Sequence, residues 1–185
     1  PLIVRWPRRV AAGRVVDTPV INTGWFATLC ELVGLNAPQR LGALSFAALL
    51  TGTGTAKEAQ QMFWHFPHYT NQGSRPGGAM REGKWKFIEH YDGGAAELYD
   101  LVSDPGERTD LASRELQRVN EMRRKLFAWI ASVNAQTNMP NPNFQPALYR
   151  ELYENVDVSR HVPKEADSAM RAKLLEWRRQ MNVAV

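Results

Sequence analysis

Ala79-Met80-Arg81-Glu82-Gly83-Lys84-Trp85-Lys86-Phe87-Ile88-Glu89-His90-Tyr91 is the stretch from which the fold of this chain is read. Glu82-Gly83-Lys84 has turn composition, and the runs on either side, Ala79 to Arg81 and Trp85 to Tyr91, are rich in residues that suit a pleated, half-buried surface, so the segment reads as a β-hairpin. Alternation assigns Arg81, Lys84 and Lys86 to a wet face and Met80, Trp85, Phe87 and Tyr99 to a buried one. Asp92-Gly93-Gly94 turns the chain into Glu97-Leu98-Tyr99-Asp100-Leu101, a third antiparallel strand. After the turn Asp104-Pro105-Gly106-Glu107, Leu116, Val119, Met122, Leu126, Trp129, Ile130 and Val133 recur at helical spacing, an amphipathic helix of about five turns that should cover one face of the sheet.

Upstream of the hairpin, Gln61-Met62-Phe63-Trp64-His65-Phe66-Pro67 is a strand candidate that runs into a polar loop from Thr70 to Gly78. Nearer the start, Pro1 to Pro7 reads as a strand already inside a fold. Arg14 to Val20 is a second extended piece, and Thr23 caps a helix through Trp25, Phe26, Leu29, Leu32 and Val33 that ends at Gly34. Leu41 to Leu50 is a short apolar segment, and Thr51-Gly52-Thr53-Gly54-Thr55 is a loop at which a boundary falls. Downstream, Asn138-Met139-Pro140-Asn141-Pro142-Asn143 is irregular because proline removes a donor and restricts its predecessor. A last helix carries Met170, Leu174, Trp177 and Met181 on one side. The expected organisation is therefore residues 1–55, then 56–135 with the sheet and its helix, then 136–185 as linker and terminal helix.

Bulk composition narrows the function classes. An apolar fraction of 44% with six Trp and seven Phe among 185 residues supplies a packed core, which argues against wholesale disorder. The longest apolar run stays well short of the ~20 residues of a membrane span, so no membrane is expected as a partner. The net charge of +4 favours anions in general, but the basic runs (Arg8-Arg9, Arg123-Arg124-Lys125, Arg178-Arg179) are interleaved with acids on helices and accompany no nucleic-acid motif, so no nucleic acid is expected either. The single cysteine, Cys30, excludes an internal disulfide and a multi-cysteine zinc site, and its apolar helical surroundings suit a small buried hydrophobe.

Five stretches in order carry a family resemblance: Pro1 to Pro7, Thr23 to Leu35, Trp64-His65-Phe66-Pro67-His68-Tyr69, Arg75 to Lys86, and Glu97 to Leu101 followed by Asp104-Pro105-Gly106-Glu107 and Asp110-Leu111-Ala112. Together they resemble the C-terminal part of the type I, formylglycine-dependent sulfatases of the alkaline-phosphatase superfamily. The resemblance implies an α/β fold, α+β in its C-terminal part: the end of an alkaline-phosphatase-like α/β domain followed by a small antiparallel sheet packed against a helix. It covers residues 1–135 well and the tail loosely. Three positions depart from the pattern, since the family usually has an acidic residue at Gly24, a glycine at Arg8, and Asp-Gly at Gly42-Ala43.

The same resemblance implies sulfate-monoester hydrolysis by a formylglycine made from a Cys or Ser in Cys/Ser-x-Pro-x-Arg, with a calcium ion on the sulfate oxygens. Cys30, followed by Glu31-Leu32-Val33-Gly34, lacks that motif, so no residue of this chain is expected to be catalytic. Nucleophile and calcium are expected from an N-terminal portion upstream, with a sulfated small molecule or polysaccharide as substrate and a periplasmic or secreted location. The chain is expected to be a fragment, inactive alone, that shapes one wall of the cleft. The alternatives are a non-catalytic module or a phosphoester or phosphonate hydrolase of the same superfamily. The wall candidates are His65, His68 and Arg75. Imidazoles can bond a sugar or phenol oxygen, although Pro67 keeps Phe66 extended and turns the two histidines to opposite sides, which disfavours a chelating pair. Arg75 lies in a Gly/Pro loop of the kind that often carries binding residues.

Overall fold

The computed structural model describes residues 2–37, 44–54, 61–70, 74–155 and 168–184. They fall into two compact units, Pro1–Met62 and Phe63–Val185.

In the first unit a 3₁₀ turn at Asn22–Gly24 leads into α1 (Trp25–Leu32), and a short α2 spans Ala47–Thr51. The expected strands over residues 1–7 and 14–20 are corrected. Among the described residues neither run joins a ladder, and the Trp6 carbonyl instead accepts the Arg9 and Val10 N–H groups of a turn. Extended chain counts as a strand only through a neighbour that takes its backbone groups. Nor does Thr23 cap α1, whose start has no side-chain cap bond. The buried Thr28 does the joining there: its Oγ1 donates to the Gly24 carbonyl at 2.7 Å and accepts the Phe46 N–H at 3.0 Å, tying α1 to the run into α2. Gly34 does end the helix as expected, at φ +78°, with its N–H on the Glu31 carbonyl and the Leu35 N–H on that of Cys30. Cys30 itself is a half-buried free thiol, not a fully buried one. Thr51 still belongs to α2, and the loop begins at Gly52, also left-handed at φ +78°.

Two of the departures acquire local reasons. Gly24 is buried, and a Cβ there would stand 2.8 Å from the Leu44 carbonyl oxygen and 3.1 Å from the Phe46 ring, so an acidic side chain does not fit this packing. Arg8 takes φ +71°, the left-handed conformation that a glycine adopts freely. Gly42-Ala43 lie outside the described residues.

The second unit is built on a four-stranded sheet in the order β1 (Met62–Phe66), β2 (Gly77–Glu82), β3 (Trp85–His90), β4 (Glu97–Asp100). The hairpin pairs antiparallel with Met80 opposite Phe87 and Glu82 opposite Trp85, and β4 continues with Phe87 opposite Leu98. Met80, Phe87 and Leu98 thus share one face. There α3 (Leu116–Ser132) seals them with Val119, Met122, Leu126 and Ile130, which form one core cluster with them. At ~25 cal/mol per Å² of apolar area, a set of large side chains with no exposure left is the main term holding the sheet to the helix. α3 closes as α1 does, with Asn134 left-handed at φ +48° and the Ala135 N–H on the Ile130 carbonyl.

The face assignment needs one correction. Tyr99 is buried, but the register sets it opposite Lys86, on the face away from α3, because it alternates with Leu98. It is buried there beside Glu97, to which its hydroxyl donates, while Lys86 reaches Glu107. The basic residues near the hairpin are largely structural: Lys84 pairs with Asp100, Arg123 with Glu89 and Lys125 with Glu82.

Asp100, Asp104 and Asp110 tie down the chain that follows β4 through backbone N–H groups, Asp100 Oδ1 accepting that of Val102 at 3.0 Å. Asp104 Oδ2 accepts the Arg108 and Thr109 N–H groups of its turn. Asp110 Oδ1 takes the outward Leu98 N–H at 3.0 Å, and the Leu111 N–H donates to the Leu98 carbonyl at 2.8 Å, so the loop satisfies the free side of β4. Beyond α3, Pro146–Tyr149 forms α4 and runs on as a π-helical turn to Glu154. Ser168–Ala184 forms α5, whose Met181 packs on Leu152 while the Trp177 indole donates to the Leu152 carbonyl.

Candidate functional site

The loop between β1 and β2 contains all the sequence candidates or adjoins them, and its described residues are fastened at both ends. At the β1 end, strand alternation turns Phe63 and His65 inward and leaves Trp64, Phe66 and His68 exposed. Phe63 stacks on Trp129 at 5.0 Å. The two ring nitrogens of His65 are both occupied within the chain. The Gln136 carbonyl only accepts, so Nε2 donates to it at 2.7 Å, and Nδ1 sits 2.8 Å from the Tyr91 hydroxyl, which donates when the imidazole is neutral. Gly78 makes this possible, since a Cβ there would overlap the Tyr91 phenol oxygen and stand 3.1 Å from Leu126.

At the β2 end Arg75 is clamped to Asp92 by two parallel bonds, Nε at 2.9 Å and Nη2 at 2.7 Å, the fork geometry that a guanidinium offers a carboxylate. The Asp92 side chain is only 8% exposed, so it depends on these partners for its charge. It also accepts the Tyr149 hydroxyl at 2.9 Å and the Tyr69 hydroxyl at 3.2 Å. Burial alone would raise its pKa. The bonds from Arg75 and Tyr149, the Arg75 charge and the Tyr69 bond outweigh that and hold the carboxyl below its ordinary range. The same hub acts in reverse on its donors: burial, then the Asp92 charge and bond, push the Tyr69 phenol up to about 12, and burial with the Asp92 bond pushes Tyr149 higher still.

Around the hub Tyr69 packs edge to face on Tyr149 and Tyr153, Tyr149 stacks on Tyr153 at 5.2 Å, and Phe144 lies tilted against Tyr149 at 5.4 Å. The Tyr153 hydroxyl donates to the Thr70 carbonyl at 3.3 Å. Thr70 and Ser74 close on each other, N–H to carbonyl at 3.1 Å and N–H to Oγ1 at 3.2 Å. Residues 71–73 lie outside the described set. His68 is exposed, its ring edge-on to Phe66 at 5.4 Å.

The structure therefore separates the three candidates. His65 and Arg75 are engaged inside the chain, and His68 faces outward from the loop they hold. Asp92, Tyr69, Tyr91, Tyr149 and Tyr153 are the residues that sequence reasoning passed over. Asp92 looked like an ordinary turn residue before two glycines, and the i, i+4 pair Tyr149 and Tyr153 was the one available signal. Among the described residues no three His, Cys, Asp or Glu side chains come together to hold an ion. The acidic groups of this region are instead occupied by Arg75, Lys84 and backbone N–H groups. These residues do not fit a calcium site.

Comparison with known proteins is consistent in direction. The family described as N-sulphoglucosamine sulphohydrolase, C-terminal, matches residues 1–136. A sulfatase of Formosa agariphila is 27% identical over 165 residues, covering 80% of this chain and 30% of its own length. A Δ4,5-hexuronate-2-O-sulfatase of Bacteroides thetaiotaomicron is 33% identical over 87 residues, 46% of this chain and 18% of that protein. A Bacteroides thetaiotaomicron structure assigned to the sulfatases superposes with TM-score 0.50 at 28% identity, over 62% of this chain and 26% of the other. The chain thus spans under a third of the length of these relatives, and the part it matches is their C-terminal region.

Proposed function

Because the chain belongs to the N-sulphoglucosamine sulphohydrolase C-terminal family, we propose that it is the C-terminal part of a sulfatase that hydrolyses sulfate monoesters, contributing scaffold and one wall of the substrate cleft. In this reading residues 1–55 end an alkaline-phosphatase-like α/β domain, and the formylglycine and the calcium ion belong to an N-terminal portion ahead of them. The substrate is a sulfated sugar, a reading supported by the activity that the name of the Bacteroides relative states. The observation that carries the proposal is the family match over residues 1–136, which contains the clamped loop and His68.

The roles proposed for the three candidates are supported by their exposure and partners. His68 hydrogen-bonds an oxygen of the group that bears the sulfate. His65 and Arg75 act on substrate through the loop, His65 fixing the end of β1 and Arg75 the start of β2. Neither the ester cleavage nor the sulfate-binding charge is supplied from these residues.

The test is an assay of the whole parent polypeptide with 4-nitrophenyl sulfate and 4-nitrophenyl phosphate. Sulfate hydrolysis that depends on an upstream Cys/Ser-x-Pro-x-Arg residue is the expected result, and preferential phosphate hydrolysis overturns it. His68→Ala in that enzyme should lower kcat/KM for a sulfated oligosaccharide about tenfold with cation content unchanged; unchanged kinetics remove His68 from the wall.

A further inference from the structure

We infer that the tail segment of residues 146–154, which lies beyond the family match, is a specificity element of the proposed cleft, with Asp92 and Tyr149 as positioning residues that set where the loop presents His68. The inference rests on the sulfatase reading and adds to it a part of the chain that the family match does not cover.

Three observations carry it. The tail grips the loop directly, through the Tyr153 hydroxyl on the Thr70 carbonyl, two residues from His68. It grips it again through the hub, because Tyr149 donates to the same Asp92 oxygen that accepts from Tyr69, the residue next to His68. And the grip is firm at its other side: Leu152 and Met181 are buried against each other, so α5 braces the segment from behind. Asp92 gathers Arg75, Tyr69 and Tyr149, which come from both ends of the loop and from the tail. A carboxylate with that many donors from three places has little freedom, and it passes its position on to each. The ring of Tyr69 also packs edge to face on Tyr149 and Tyr153, a third tie between the residue next to His68 and the tail.

A residue that acts this way should affect substrates that reach the wall and spare those that do not. The experiment uses the full parent enzyme with Tyr149→Phe, which keeps the ring packing and removes one bond to Asp92, and with Asp92→Asn. Each is assayed on a sulfated oligosaccharide and on 4-nitrophenyl sulfate. Expected is a KM for the oligosaccharide raised about tenfold, with kcat little changed, and a kcat/KM for the aryl sulfate within about twofold of wild type. On the oligosaccharide His68→Ala should raise KM likewise, and His68→Ala with Tyr149→Phe should lose little more on that substrate than either alone. Hydrogen exchange at the Thr70 and Ser74 amides, read without substrate, should quicken in Tyr149→Phe.

Equal losses on both substrates, or additive losses in the double variant, overturn the inference. So does unchanged exchange in Tyr149→Phe, whatever the kinetics. Should Asp92→Asn fail to fold, the milder Tyr149→Phe decides alone. A wild-type enzyme that turns over no sulfate ester defeats the functional reading, and the specificity claim falls with it while the exchange result still reports on the clamp.

Discussion

Arg8 has a side chain where its backbone wants none. At φ +71° its Cβ crowds the following carbonyl, a strain of about 1–2 kcal/mol for an L-residue, and the family resemblance places a glycine there. Arg8→Gly should therefore stabilise the parent polypeptide by about 1 kcal/mol, less the entropy that a glycine adds to the unfolded chain. A urea midpoint that moves down would show that the contact of the Arg8 neighbourhood outweighs the strain. Gly24 is the opposite case, a residue where the family pattern puts a carboxylate and this packing leaves no room. Neither reason could be read from sequence, because a residue's φ and the distance from its missing Cβ to a carbonyl twenty positions away belong to the folded chain alone.

At the scale of elements, Gly78 shows how both the start of a strand and its purpose escape a local pattern: the polar loop expected to run to Gly78 stops short of it, and Gly77 and Gly78 already belong to β2. The hairpin, the third strand and α3 were legible because each rests on a local pattern: alternation about Gly83, a run of β-formers, and apolar residues at helical spacing. The strands expected over residues 1–7 and 14–20 were not, because no local pattern supplies a ladder partner. The site divides the same way. His65 and His68 were placed on opposite sides from Pro67 and strand geometry alone, whereas the clamps that engage His65 and Arg75 join residues 17 to 71 positions apart. Gly78→Ala tests one of those clamps. Its methyl would overlap the Tyr91 phenol oxygen, which bonds His65, and crowd Leu126, costing about 1–3 kcal/mol as overpacking. The expected outcome is a lower urea midpoint together with faster exchange in β1, and an unchanged midpoint would mean that Tyr91 repacks freely.

At the largest scale, ionisable groups of the second unit shape the pH range of stability. Asp92 and Glu97 both have depressed folded pKa values. For Glu97 too burial opposes the shift, and bonds from Tyr99 and His90 prevail. A depressed carboxyl stabilises above its ordinary range and loses that contribution as pH falls through its folded value. Tyr69 and Tyr91 run the other way, both raised by burial from 10 to about 12, with Asp92 adding to the first and the Glu89 charge to the second. Their contribution is complete below pH 10 and is lost as pH climbs towards 12. Urea midpoints of the chain should accordingly be flat across neutral pH and fall on both flanks, and in Tyr69→Phe the alkaline fall should be shallower. An alkaline flank identical in Tyr69→Phe and wild type would show that the hub does not carry it.

One further consequence follows from the loop that takes up Leu98. A sheet edge with free amides is a template on which another chain can lay down a strand. Here Asp110 and Leu111 already occupy both backbone groups of Leu98, so a neighbour's strand finds neither of them open at that point of the β4 border. An acidic residue that entered only as part of a family-like stretch thus also covers a point of the sheet's edge.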